Sequence, residues 1–459
     1  MLKCMDPATG DVIERICCDD RRTVHRMYRK LQQGQRQWRD NDWHHRLEVL
    51  EQFGQLLGDE RIRLVEGLTG EVGTPVEQAR AEVDAARRRI DEFVDAGTEA
   101  MGVDVLHDEA PQTGREVVER EPLGVVAHIS TWSAPLLVGV EALAPALLAG
   151  NAVLYKPSEE AALLGRQLVE LLWDAGFPDD VVDVAIGGGA VGDYVLDESI
   201  AGVSFAGSYN TGQMVAQKLA TRMIPQHLEL GTKDGAYVCD DVDVEPAAHQ
   251  IAEIALYNSG RGRRALDRVY VHESLHRRFV ESLCRQVDSF RLGDPATEGN
   301  LIGPIIDDRR LRTLEYQMSD AIQKGATLLM GGRAHNGQGH FFEPTVITDV
   351  DHRMLVMREE SPGPVVAIQR VCDDAEALHR LGDSDYRGGA AVLSASRERA
   401  RRLLMQIDAE SVYWSDCSRG ETGRVRPRGL DVACVTEELR RVTRPKNWRL
   451  GSGPQLVRC

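Results

Sequence analysis

The chain has 459 residues, 42% of them hydrophobic and 28% charged, with a formal net charge of −17. That length allows two or three domains with large buried cores, and the mixed composition excludes a disordered or fibrous chain. The acidic balance speaks against a nucleic-acid groove, which needs clustered positive charge to displace counterions. The stretch from Met1 to Pro7 has no apolar core, so no signal peptide is expected. The most apolar window, Leu136 to Tyr155, contains Glu141, Pro145, Gly150 and Asn151, and reads as a buried helix running into a strand instead of a membrane span. Nine cysteines are scattered without zinc-type spacing. Reduced thiols, no metal site and a cytoplasmic location are the resulting expectations.

In chain order, Asp6-Pro7-Ala8-Thr9-Gly10 predicts a turn before a short strand. Amphipathic helices are predicted over Arg22 to Trp38, His45 to Leu68 and Pro75 to Ala96, with apolar residues three and four apart, as in Leu47, Leu50, Phe53 and Leu57. A charged arm strand is predicted over Arg115 to Glu121, followed by an apolar run, Leu123 to Ile129. Strand Ala152 to Tyr155, helix Glu160 to Ala175, and strands Val181 to Ile186 and Val203 to Ala206 come next. Such alternation argues for a parallel sheet with helices on both faces. It resumes with strand Tyr237 to Cys239, helix Ala247 to Leu256, strand Arg268 to His272, helix Leu275 to Val287 and helix Asp308 to Lys324. A boundary near Gly231 divides a first domain, 1–230, from a second, 231–415; a tail, 416–459, is expected to return to the first and serve oligomerisation.

Several segments carry chemistry. Lys156-Pro157-Ser158-Glu159 follows a strand and opens a helix, with Ser158 at a cap position. Gly187-Gly188-Gly189-Ala190-Val191-Gly192 is a glycine turn after an apolar strand. Phe205-Ala206-Gly207-Ser208 ends a strand where a helix begins, and backbone N–H groups there suit a pyrophosphate. To these are added Thr131-Trp132-Ser133-Ala134-Pro135, Leu228-Glu229-Leu230-Gly231-Thr232-Lys233, the loop from Asn258 to Arg268, and Glu359-Glu360-Ser361-Pro362-Gly363-Pro364.

In this order and spacing the segments resemble the aldehyde dehydrogenase superfamily, whose patterns read Pro-Trp-Asn-x-Pro, Lys-Pro-Ser-Glu, Phe-Thr-Gly-Ser, Leu-Glu-Leu-Gly-Gly-Lys, Asn-x-Gly-Gln-x-Cys-x-Ala-x-x-Arg and Glu-Glu-x-Phe-Gly-Pro. The resemblance implies an α/β fold with a Rossmann-type NAD-binding domain, an α/β catalytic-type domain and a small oligomerisation arm. It implies Lys156 and Glu159 as partners of the adenosine ribose, Glu360 as the carboxylate on the nicotinamide ribose, and Glu229 at the general-base position. Trp132, Gly207, Ser208 and Gly231 complete the implied cofactor site. A carboxylate at Glu159 would repel a 2′-phosphate, so NAD is favoured over NADP.

The same resemblance exposes gaps. Arg263 stands at the nucleophilic cysteine position, Arg261 at the glutamine, Ser133 at the oxyanion asparagine and Pro362 at the phenylalanine. A guanidinium offers only donors and cannot attack a carbonyl carbon. Loss of one oxyanion donor typically costs about 100- to 1,000-fold in rate. The expectation is a homologue without classical activity, forming homodimers or homotetramers, partnered with an active relative, and with NAD binding retained or weakened. The alternatives are a reaction using a recruited residue such as Cys417, and an anion site built on Arg261, Arg263 and Arg264. Arg263 is further expected to reach Glu229 or Glu360 as an ion pair.

Overall fold

A computed structural model describes residues 1–102, 104–107, 115–262, 265–415 and 432–450. Its first lobe is built on a five-stranded parallel sheet in the order Val182–Val184, Ala152–Lys156, Val125–Ile129, Gly202–Gly207, Gln226–Leu230. Every residue of the strands Val125–Ile129 and Ala152–Lys156 is buried, which explains their near-continuous apolar sequence. The chain builds outward from Val125–Ile129 to Val182–Val184, then returns to place Gly202–Gly207 on the other side of the first strand. That reversal is a topological switch point, where a crevice opens beyond the carboxyl ends of the strands.

The second lobe holds a seven-stranded sheet in the order Thr327–Met330, Thr345–Thr348, Val365–Val371, Leu266–His272, Asp234–Val238, Gly389–Leu393, Ser411–Ser415. Thr327–Met330 runs antiparallel to its neighbour, and the other pairs are parallel. The chain passes from the edge of one sheet to the middle of the other between Leu230 and Asp234. Thr443–Leu450 pairs antiparallel with Arg115–Pro122, which also pairs with Asp104–His107, so the chain end returns to the arm.

The helices Arg21–Asp40, Val76–Ala100, Val244–Leu256, Glu273–Asp288 and Asp308–Gln323 lie where periodicity puts them, within a few residues at their ends. One expectation is corrected. The single helix expected over His45 to Leu68 is a chain of pieces: Trp43–Asp59, Arg61–Gly67, then a π-turn Leu68–Val72 closed by Gly73 at φ +72. Leu57, Leu64 and Leu68 are all fully buried, so the apolar stripe runs unbroken across the kink at Glu60 and hides it from periodicity. Similarly, Glu159–Ala161 is a 3-10 turn ahead of the helix Ala162–Asp174.

Candidate functional site

The crevice at the switch point collects the loops that follow Ile129, Lys156, Val184 and Gly207. On one side Lys156, 3% exposed, donates from Nζ to the Pro157 carbonyl at 2.8 Å and to Glu159 Oε2 at 3.4 Å. Burial lowers its pKa against the opposing pull of Glu159. Ser158 accepts the Glu160 N–H at 3.3 Å, the cap expected of it. The glycine turn faces this pair: a Cβ on Gly188 would lie 3.9 Å from Glu159 Oε1, one on Gly192 3.8 Å from Lys156 Cδ, and one on Gly189 would meet nothing within 4 Å. The turn is therefore open above a buried lysine and a carboxylate, an arrangement that fits an adenosine ribose.

On the other side Ser208 caps the helix Tyr209–Leu219, accepting the Thr211 N–H at 3.4 Å. The first N–H of that helix, on Tyr209, donates to Glu360 Oε1 at 3.0 Å. Gly231 is what allows this approach, because a Cβ there would fall 2.4 Å from the Glu360 carboxyl carbon. Burial raises the Glu360 pKa, while the Tyr209 N–H, Lys233 and Arg310 favour its charged form.

The loop that resembles the catalytic loop is described up to Gly262. Asn258, Ser259 and Gly260 are left-handed in succession, at φ +51, +57 and +71, a conformation strained for the first two. It is held from several sides. Asn258 N–H donates to Gln78 Oε1 at 2.7 Å, Asn258 Nδ2 to the Ser133 carbonyl at 2.7 Å, and Ser259 Oγ accepts the Gly303 N–H at 2.8 Å. A Cβ on Gly260 would lie 2.1 Å from the Gly363 carbonyl oxygen, so this loop packs directly on the segment that carries Glu360.

Arg261, 5% exposed, turns into the seam between the lobes. Its guanidinium donates to the carbonyls of Asn258 at 3.0 Å, Val72 at 2.6 Å and Gly73 at 3.1 Å, and to Asn258 Oδ1 at 2.8 Å. Burial pushes its pKa down to about 9, opposed by the charge of Glu82. Glu82, 6% exposed, accepts the Leu136 and Leu137 N–H groups at 3.0 and 3.3 Å, and burial pushes it up to about 7. Of the alternative anion site on Arg261, Arg263 and Arg264, only Arg261 is described, and it donates to three backbone carbonyls and to Asn258 Oδ1. Trp132 has two guanidinium groups near its ring, with the carbons of Arg261 at 5.7 Å and Arg310 at 4.6 Å from its centre. Ser133 is buried, with its hydroxyl 3.4 Å from Thr131 Oγ1. Arg263 and Arg264 lie outside the described residues, as does Cys417, so the expected ion pair of Arg263 has no structural counterpart here.

Glu229 Oε1 lies 3.1 Å from His227 Nε2, and Arg441 Nη1 is 3.4 Å from the same ring nitrogen. Gln78, Glu82, His227 and Arg310 escaped the sequence reading. His227 had a signal, since residues two apart on a strand share a face. Gln78 and Glu82 had a weaker one: a polar pair one helical turn apart on an otherwise apolar stripe. Arg310 had none. Among the described residues no group of His, Cys, Asp or Glu is placed to hold a metal, and no helix is long and apolar enough to cross a membrane.

Fold and site together define a two-lobed α/β protein with a dinucleotide-type groove at a switch point and a strained loop facing it across the seam. Residues 1–429 match the signature of the aldehyde dehydrogenase family, and the chain belongs to that family. It is 33% identical over 352 residues to the peroxisomal aminoaldehyde dehydrogenase 1 of Pisum sativum, covering 76% of this chain and 70% of the relative. An NADP-dependent glyceraldehyde-3-phosphate dehydrogenase from Bacillus halodurans, solved with NADP, superposes with a TM-score of 0.89 at 30% identity, covering 97% of this chain and 95% of the other. An NAD-dependent benzaldehyde dehydrogenase from Corynebacterium glutamicum gives 0.88 at 27% identity, covering 97% and 94%.

Proposed function

We propose that this chain is an aldehyde dehydrogenase homologue that has lost thiolate chemistry while keeping a dinucleotide groove, and that it acts as a structural or regulatory subunit. The carrying observation is the loop from Asn258 to Arg268. It has no cysteine, and its Arg261 is built into the seam by four hydrogen bonds. The thioester route needs a nucleophile that a guanidinium cannot supply. Two buried thiols are poor substitutes: burial pushes Cys4 and Cys239 up to about 12, far from the thiolate state. Ser133, engaged with Thr131, takes the place of the oxyanion donor, and Pro362 that of the phenylalanine of the clamp.

NAD is the proposed ligand. The open glycine turn over Lys156 and Glu159 supports the adenosine end, and the free carboxylate edge of Glu159 disfavours a 2′-phosphate. When bound, NAD would supply a hydride acceptor, but Arg263 at the cysteine position offers no thiolate to turn an aldehyde into the thiohemiacetal whose carbon would give up the hydride. Homodimers or homotetramers are proposed from the exposed edge strand Ser411–Ser415, which presents Val412 and Trp414, and a hetero-assembly with an active relative is the regulatory version of the same contact. A cytoplasmic site is proposed from its free thiols.

A second reading is an NAD-dependent oxidoreductase working through a recruited residue, and the Glu229–His227 pair favours it because it keeps a proton-transfer group at the groove. One experiment separates the readings. Purified protein is assayed for NADH formation with a panel of aldehydes, beside the double variant Arg263→Cys with Ser133→Asn. The proposal expects no turnover from the wild type and a gain in the double variant. Wild-type turnover abolished by His227→Ala would establish the second reading instead.

A further inference from the structure

A cavity of about 520 Å³ opens where the start of the chain and the π-turn Leu68–Val72 meet two loops of the second lobe, 292–296 and 335–341. None of the groove residues described above lines it. Its walls are preformed. His340 N–H donates to the Pro7 carbonyl at 2.9 Å, Gln338 Nε2 to the Thr9 carbonyl at 2.7 Å, and Val76 N–H to the Pro295 carbonyl at 2.8 Å. Pockets for small molecules run from about 300 to 1,000 Å³, and a preformed one binds without the cost of ordering its loops. Leu292, Pro295 and Phe341 give this one an apolar lining, while Asp6 and Asp294 bring carboxylates from two different walls. Asp6 Oδ1 accepts the Ala8 N–H at 2.8 Å and Asp294 Oδ1 the Ala296 N–H at 2.9 Å, which fixes the direction of each carboxyl group.

No lysine or arginine is among the lining residues, so the local field favours a cation. The π-turn is a separate marker, because such turns are rare and concentrate at functional positions. This one presents Gly70 to the cavity, and a Cβ added there would meet nothing within 4 Å. We infer that the cavity binds a small aliphatic diammonium ion, one charged end on Asp6 and the other on Asp294, with its methylene stem against Leu292, Pro295 and Phe341. The same π-turn ends beside Val72 and Gly73, whose carbonyls hold Arg261, so such a ligand ties the two lobes near the point that Arg261 braces. The inference goes beyond the proposed function and does not depend on nucleotide binding.

The test is a calorimetric titration of putrescine, butylamine and butanediol into wild type, Asp6→Asn, Asp294→Asn and Gly70→Leu. The asparagine variants keep an acceptor for the Ala8 and Ala296 N–H groups and remove one charge each. Gly70→Leu fills the space instead, and if it fails to fold the asparagine variants decide. Putrescine is expected to bind wild type at one site, more tightly than butylamine, with butanediol weakest. Loss of either charge is expected to weaken putrescine by about tenfold or more, and Gly70→Leu to do the same. A chain of net charge −17 attracts cations over its whole surface, and the variants separate that attraction from a site. Putrescine binding that is unchanged in both asparagine variants overturns the inference. So does an absence of binding to wild type, or butanediol binding as tightly as putrescine.

Discussion

Arg261 shows how a single side chain can change trades within one loop. Its position faces the seam, where the carbonyls of Val72 and Gly73 accept its donors at 2.6 and 3.1 Å, a pair that a planar fork suits well. Removing one partner of a buried charged network leaves the rest unsatisfied, so Arg261→Ala should destabilise the fold by about 3–5 kcal/mol in urea unfolding. Arg261→Gln, which reaches fewer carbonyls, should cost less. A neutral result for Arg261→Ala would mean that the guanidinium contributes nothing to the seam. Glu82 carries the complementary prediction. Its folded pKa is about 7 against an ordinary 4.5, so the folded chain holds a proton that the unfolded chain releases. The stability from that proton is fully present below 4.5 and is lost as pH rises through 7. Between pH 4.5 and about 7 the urea midpoint of wild type should fall, and Glu82→Gln should flatten that slope. Glu71 is raised to about 7 in the same way, so the variant removes part of the slope and leaves part.

At the scale of elements, the tail helix Val432–Arg441 packs the buried Val435 and Leu439 into the core that it shares with Val76–Ala100, and an arginine of that helix reaches Glu438. Arg89, 2% exposed, pairs with Glu92 at 2.6 Å and with Glu438, and its guanidinium lies 4.3 Å from the Phe93 ring centre. The tail also gives the Val442 carbonyl to Asn151 Nδ2 at 3.0 Å. Arg89→Ala leaves Glu438 without its buried cation and should release the tail helix before the rest of the fold. Limited proteolysis checks this: cleavage near residues 432–441 should speed up at least tenfold, while the thermal transition of the remainder moves little. Equal cleavage rates would place the fastening elsewhere. The kinked series from Trp43 to Val72 works by a different logic, in which a π-turn ending at Gly73 delivers two carbonyls to Arg261. Element and residue are matched there, since a straight helix would spend those carbonyls internally.

At the scale of the whole molecule, the seven-stranded sheet ends, among the described residues, at the strand Ser411–Ser415. Val412 and Trp414 are 46% and 41% exposed on Ser411–Ser415, beside Met405 at 73%. Edges of this kind invite pairing with another chain. Light scattering coupled to gel filtration should therefore report an oligomer, and Trp414→Lys should shift it toward monomer. An unchanged mass in the variant would remove this edge from the assembly. A thermal melt with millimolar NAD reads the groove as a unit: a ligand at about 100 times its dissociation constant adds about 2.7 kcal/mol. An upward shift is expected.

Much of this architecture was legible in residue order. Alternating apolar runs and amphipathic stretches carry the two parallel sheets because burial on both faces demands them, and the motifs from Lys156 to Glu360 announce the family because phosphates and riboses require glycine turns and fixed carboxylates. The absence of a cysteine between Asn258 and Arg268 is likewise a fact of sequence alone. Tertiary structure decided what no local pattern encodes. The kink at Glu60 is invisible because the apolar stripe continues through it. Arg261 and Arg310, both from the second lobe, reach Trp132 of the first, Glu82 answers Arg261 across the seam, and Glu360 meets a helix start 151 residues away in the chain. Hydrophobic periodicity is a property of neighbours along the chain, whereas the partner of a buried charge is chosen by whichever segment the packing of the two lobes brings within hydrogen-bond reach.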